Sequence, residues 1–179
     1  ADAGDAMAGV EAVGLDAYPD IPEAPEDHET FVDNALQKAR FVFERSGVAC
    51  VADDSGLEVD ALGGAPGVRS KRFTPEATAT SNNARLLRDL DGRADRRARF
   101  RCVLALVTSS GEWTAAGACE GKIGTSLSGD GGFGYDPLFL PDGQGGRAMA
   151  ELSAADKNVI SHRGRAFAQL PALLASARA

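Results

Sequence analysis

The alternation of apolar and polar positions predicts a mixed chain of helices and strands. Phe31, Ala35, Ala39 and Phe43 recur every four residues, the spacing of one buried helix face. Thr30 stands before that stripe as an N-cap, Asp33 lies three residues on as its capping-box partner, and Gly47 supplies the stop. Val48 to Ala52 is short and apolar enough for a buried strand that ends at Asp53, Asp54, Ser55 and Gly56. A short helix is expected over Asn82 to Leu90, capped by Ser81 and closed by Gly92. Arg97, Arg99 and Arg101 alternate with Ala98, Phe100 and Cys102 before the apolar run Val103 to Val107, which predicts one strand with a solvent-facing row of arginines. Ser109, Ser110 and Gly111 then turn into a hairpin partner over Trp113 to Ile123. Leu138 to Leu140 reads as a further strand, Ser153 with Asp156 as another capping box, and Phe167, Leu170, Leu173 and Leu174 as a final helix that Pro171 interrupts. Residues 1–29 are weakly patterned: ADAGDAMAG is small and flexible, Val10 to Leu15 could form a short strand, and YPDIPEAPEDHE is a Pro-rich acidic loop.

With 179 residues, 44% hydrophobic and 25% charged, the chain has the length and composition of a single globular domain with its own core. No apolar run approaches the ~20 residues of a membrane span, and no signal-peptide pattern opens the chain, which points to the cytoplasm. Cys50, Cys102 and Cys119 are odd in number and widely spaced, and two of them lie in strand-like runs, so buried reduced thiols are expected. A net charge of −7 argues against a nucleic-acid polymer as partner. It leaves room for a small anionic ligand only if local cations and a metal receive it.

Two stretches carry candidate chemistry. The first is VACVADDSGLEVDALGGAPGVRSKRF, Val48 to Phe73. It joins the carboxylates Asp53 and Asp54, through a Gly/Pro loop at Gly63, Gly64, Pro66 and Gly67, to the cations Arg69, Lys71 and Arg72. Carboxylates hold a hard cation through oxygen and guanidinium or ammonium groups neutralise phosphate, so the pattern suits an anionic ligand with a divalent metal. The second is GDGGFGYDP, Gly129 to Pro137, where glycines around Phe133, Tyr135 and Asp136 let backbone approach a ligand beside aromatic faces. On the residues alone it reads more readily as a tight turn than as a base-stacking site.

The first stretch resembles the ADDSGLxVDxLGGxPGxxSxR signature of the inosine triphosphate pyrophosphatase family (XTP/dITP diphosphatases). TFVDNALQKAR, GGFGYDP and KNVISHRGRA resemble that family's other blocks, in the family's order. The resemblance implies an α/β (mixed) fold, an elongated twisted sheet with flanking helices in two lobes around a nucleotide cleft. It implies hydrolysis of nonstandard purine triphosphates (ITP, dITP, XTP) to the monophosphate and pyrophosphate, with Mg²⁺ as cofactor and a homodimer as assembly. Asp54 then serves as metal ligand and either as base on the attacking water or as the group that orients a metal-bound water, with Glu26 as second ligand and Asp53 close by. Ser55, Phe133, Gly134, Tyr135 and Asp136 bind substrate, Lys157 contacts its phosphate or sugar, and His162 and Arg163 read the purine edge. The family's opening strand and its T/S-N-x-x-K phosphate loop have no counterpart in residues 1–179, which are expected to form a single domain; either that segment lies outside these residues or the protein lacks that part of its phosphate grip. Three alternatives stand beside this reading: a Maf-like pyrophosphatase acting on other nucleotides, a nucleotide-binding protein without turnover, and, least favoured, a nucleic-acid binder working through Arg93 to Arg101.

Overall fold

The computed structural model describes residues 9–178, and the expectations that fall on residues 1–8 lie outside it. The chain divides into two compact units, each assembled from separate segments. The first comprises the chain up to Asp54, Val103–Ala116 and the residues from Ala166 on; the second comprises Ser55–Cys102 and Gly117–Arg165.

Helix α1, Phe31–Ser46, forms where the periodicity places it. The Thr30 hydroxyl accepts from the Asp33 amide at 3.1 Å, and Gly47 closes the helix in the left-handed region at φ 67°. Phe31, Ala35 and Ala39 are buried together with a polar residue, Asn34. The two alanines bring the helix backbone close to what covers it, leaving space on that face for one amide side chain.

Five strands make one sheet in the order β2-β1-β3-β4-β5. They are β1 Cys50–Val59, β2 Pro66–Gly67, β3 Arg97–Thr108, β4 Gly111–Ile123 and β5 Phe139–Pro141. β2 pairs antiparallel with β1, Leu57 opposite Gly67, and β5 pairs antiparallel with β4, Gly121 opposite Pro141. β3 and β4 are sheet neighbours joined through Ser109 and Ser110, a hairpin. Along β3 the arginine half alternates buried and accessible, while Cys102 to Val107 is buried throughout, so only the first half of the strand has a wet face. In the second unit Leu57, Val59, Leu86, Leu90, Phe100, Ile123, Leu138 and Phe139 close a continuous core.

Several expectations are corrected. β1 does not stop before the acidic pair but runs through Asp53, Asp54, Ser55 and Gly56 to Val59. The short helix, α2, covers Ala79–Asp89 and is capped by Thr78, with Ser81 as the reciprocal partner at its third position. Two hydroxyls three residues apart can each open a helix, and reciprocal bonding to both backbone amides decides for the earlier one. Val10 to Leu15 forms no strand; it is exposed and leads into a single 3₁₀ turn, Leu15–Ala17. The C-terminal helices are α3 Ala154–Ile160, α4 His162–Phe167 and α5 Leu170–Arg178. Pro171 stands in the first turn of α5, where its missing N–H is tolerated, instead of kinking a continuous helix. All three cysteines are free thiols, Cys102 and Cys119 buried and Cys50 partly so.

Candidate functional site

The first unit holds an acid pair around a lysine. Strand β1 carries Asp54 to a buried position, and α1 presents Asn34 and Lys38, one turn apart, to it. Lys38 Nζ lies 3.0 Å from Asp54 Oδ1 and 3.0 Å from Glu26 Oε1. The other Asp54 oxygen accepts from Asn34 Nδ2 at 3.2 Å. Asn34 also bonds the His28 backbone in both directions, at 2.9 and 3.2 Å, which fixes the acidic loop that delivers Glu26. Burial is the strongest influence on Asp54 and pushes its carboxyl up, against the attraction of Lys38. Burial alone would lower the Lys38 ammonium, but its bonds to Glu26 and Asp54 outweigh it and the net shift is upward. Two carboxylates share one ammonium here, so the cluster keeps excess negative charge. A cavity of about 860 Å³ in the same unit has Glu26 and Lys38 on its wall; Val10, Val13, Val42, Leu106 and Leu170 make much of the rest apolar.

The second unit holds the aromatic loop. Phe133 is 69% exposed, while Tyr135 and Asp136 are buried. The Tyr135 hydroxyl donates to the Ser70 carbonyl at 2.9 Å, and burial pushes its pKa far up. Asp136 Oδ2 accepts from the Phe133 amide and from Lys157 Nζ, each at 3.3 Å. A side chain at Gly132 (φ 82°) would collide with both Asp136 Oδ2 and Lys157 Nζ, so this glycine is required for the pair to form. The Arg163 guanidinium lies 5.7 Å from the Phe133 ring centroid, within cation–π range. The buried His162 ring stacks on Phe100 at 4.9 Å with planes 17° apart. Gly164 lets α4 start against the end of α3, because a Cβ there would strike the Asn158 carbonyl. The cations Arg69, Lys71 and Arg72 are exposed on a turn whose carbonyls at Ser70 and Lys71 accept from the buried Asn82 amide, at 3.3 and 3.2 Å.

The Ham1 family profile matches residues 3–173. The chain belongs to the Ham1 family. Curated relatives agree with the profile. A dITP/XTP pyrophosphatase of Nitratidesulfovibrio vulgaris is 51% identical over 90% of this chain and 83% of the relative. One of Anaeromyxobacter sp. is 47% identical over 86% of this chain and 81% of the relative. The solved Ham1 protein of Staphylococcus aureus superposes with a TM-score of 0.87 at 34% identity, covering 93% of this chain and 87% of that one. The nucleoside-triphosphatase / dITP/XTP pyrophosphatase of Mycobacterium abscessus superposes at 0.78 with 45% identity, covering 93% and 87%.

In this Ham1 chain the residues singled out from sequence fall into groups. Glu26 and Asp54 converge on one ammonium, while Asp53, their neighbour on β1, is half-buried. Ser55 follows on the same strand, half-buried. Phe133, Gly134, Asp136, Lys157 and Arg163 cluster around the aromatic loop, and His162 packs on Phe100. Tyr135 belongs to the loop through its backbone, its side chain being turned into the core. From sequence, Asn34 and Lys38, one turn apart on α1, read either as helix surface or, by the resemblance of TFVDNALQKAR to the family's helix, as structural residues beside the site; both side chains reach Asp54. Asn82 and Asn83 were read only as helix residues, and no local signal separates a buried anchoring amide from a surface one.

Proposed function

We propose that this Ham1 protein is a nucleoside triphosphate pyrophosphatase that hydrolyses nonstandard purine nucleotides, ITP, dITP and XTP, to the monophosphate and pyrophosphate. The observation that carries the reading within the structure is the convergence of Glu26 and Asp54, at 3.0 Å each, on a single ammonium. Lys38 occupies the place of a cation between two carboxylates that it cannot fully neutralise. Among the described residues no three acidic, His or Cys side chains converge on one point. Two carboxylates plus the oxygens of a substrate phosphate are the donor set that Mg²⁺ commonly takes, so the residues present fit that ion. When bound there, Mg²⁺ would polarise the phosphate and offset charge repelled by a protein of net charge −7.

The chain's own groups then divide the work. Asp54, its carboxyl raised by burial, takes the proton of a water that attacks the α-phosphorus; the bond from that phosphorus to the α–β bridging oxygen breaks and pyrophosphate leaves. Asn34 holds the other Asp54 oxygen in place. Ser55 and Lys157 contact the phosphate and sugar, and Asp53 adds negative charge beside the ligands. The exposed Phe133 ring offers a stacking face, Gly134 and Tyr135 shape the loop, and Asp136 fixes its backbone. His162 and Arg163 supply donors to the 6-keto group of hypoxanthine or xanthine, which adenine replaces with an amino donor. A donor facing a donor in a desolvated site discriminates by ~10⁴-fold or more. A cytoplasmic homodimer completes the proposal; no helix among the described residues is long and apolar enough to cross a membrane.

A panel of ITP, XTP, dITP, ATP, dTTP and UTP, read by pyrophosphate release, tests the function. Turnover is expected on the first three, and preference for dTTP or UTP would replace this reading with a Maf-like one. Arg163→Ala should lower kcat/KM for ITP strongly and leave the poor ATP rate nearly unchanged, narrowing the ITP/ATP ratio. An unchanged ratio would take base choice away from Arg163.

A further inference from the structure

Asn83 follows Asn82 on α2 and has no part in the site as described so far. It is 5% exposed. Its Nδ2 donates to the Gly134 carbonyl at 2.9 Å, across 51 residues of sequence. Its Oδ1 is buried and has no hydrogen-bond partner among the described residues. These two facts oppose each other. A buried amide oxygen with no donor destabilises a fold, and a leucine of nearly the same shape would fill the volume without that penalty. As a packing element, then, asparagine is the inferior choice. What it alone supplies is the N–H directed at the aromatic loop.

The loop has need of such a bond. Gly132 and Gly134 hold left-handed conformations, φ 82° and 61°, which unfolded glycine shares with many others. The Phe133 ring between them is exposed, so core packing does not fix it. On the far side, the Asp136 amide bonds the Phe133 carbonyl at 3.1 Å and the Asp136 carboxylate bonds the Phe133 amide. The Gly134 carbonyl sits between the exposed ring and the buried Tyr135, and Asn83 is what holds it. The adjacent Asn82 anchors the Ser70 and Lys71 carbonyls from the same helix turn. Helix α2 thus fastens two loops through two consecutive amides.

We propose that Asn83 is a positioning residue for base recognition: by tying the Gly134 carbonyl to α2 it sets the pose of Phe133, and through it the affinity for the purine. The proposal rests on the reading of Phe133 to Asp136 as the base loop. The test compares Asn83→Leu with wild type and with Phe133→Ala. Amide hydrogen exchange of the ligand-free proteins reads the loop, and steady-state kinetics with ITP read its use. Asn83→Leu should melt within a few degrees of the wild-type temperature, because loss of the unsatisfied oxygen offsets loss of the bond to Gly134. Its Asp136 amide should exchange about tenfold faster, and KM for ITP should rise about tenfold with kcat within about twofold, the scale of one lost buried hydrogen bond. Asn83→Ala, which removes the donor without adding a charge, should behave the same way in exchange and KM, and carries the test if the leucine variant fails to fold. Unchanged exchange in the loop overturns the tether whatever the kinetics. Faster exchange with unchanged KM, while Phe133→Ala raises KM, overturns the role in base recognition and leaves the base-loop reading intact. If neither variant moves KM, the base-loop reading falls and the proposal with it.

Discussion

Asp54 is a carboxylate pulled two ways, upward by burial and downward by the ammonium 3.0 Å away. A residue in that balance can hold a cation or accept a proton, and both uses need its charge. Asp54→Asn keeps the shape and the chance of a bond with Asn34 but loses that charge. Turnover of ITP should fall by at least ~10²-fold while the melting temperature stays near wild type. Near-normal turnover in a folded variant would remove Asp54 from the reaction. Asp136 shows the same conflict away from the acid pair. Burial raises its pKa above the ordinary 3.8, and Lys157 only partly opposes the shift. A carboxyl whose pKa is higher folded than unfolded binds more protons in the native state, so its contribution to stability is lost as pH rises from about 4 toward neutrality. Asp136→Asn has no such titration. The difference in melting temperature, variant minus wild type, should therefore grow between about pH 4 and pH 7. A difference that shrinks over that range would mean that Lys157 outweighs burial at this site.

At the scale of elements, what was legible depended on whether the deciding contacts are local. The bounds of α1 could be read because its cap, its stripe and its stop all lie within Thr30 to Gly47, although Phe43 is only half-buried and the Asp33 carboxylate takes the Thr30 hydroxyl in place of the Thr30 amide. The arginine half of β3 was legible for the same reason, its alternation being a property of five consecutive residues. The course of β1 was not. Asp-Asp-Ser-Gly has turn composition, yet ladder pairing with neighbours distant in sequence carries the strand through it to Val59. Arg96, at the head of that arginine run, also escaped the sequence reading. Its guanidinium donates to the carbonyls of Leu90, Ile123 and Gly124, at 2.9, 2.7 and 2.6 Å, clamping the end of α2 to the end of β4. No pattern in Arg93 to Arg101 separates this clamp from the exposed Arg97 or from Arg99, which pairs with Asp60 and Glu120. Arg96→Met keeps the aliphatic stem and leaves three carbonyls without their donor. It should cost about 2–4 kcal/mol in urea unfolding, whereas Arg97→Met, at a 74% exposed side chain, should cost under about 1 kcal/mol. Equal losses in the two variants would show that the Arg96 bonds contribute no more than surface charge.

Across the whole molecule, the candidate residues stand out in the sequence as motifs, but their connections do not. Asp54, the aromatic loop and Lys157 to Arg163 each stand in a compact sequence block. The bonds that fix them, Lys38 between Glu26 and Asp54, Asn34 to the His28 backbone and Asn83 to Gly134, join positions that only folding brings together. Lys38 also bears on how a protein of net charge −7 tolerates its own acid pair. With the ammonium in place, the fold already has a cation between the carboxylates, and the proposed Mg²⁺ would have to compete for them. Chelation should therefore abolish turnover, Mg²⁺ should restore it, and the melting temperature without substrate should move by no more than about 2 °C between the two states. Lys38→Met removes the competitor and leaves two carboxylates facing each other. Its ligand-free melting temperature should be lower in chelator, and saturating Mg²⁺ should raise it by about 4 °C or more, since a ligand stabilises most strongly where it binds the native state without displacing anything. The readout is thermal and needs no substrate, so it separates metal binding from catalysis. Equal Mg²⁺ shifts in wild type and Lys38→Met would mean that the ion binds elsewhere than between Glu26 and Asp54.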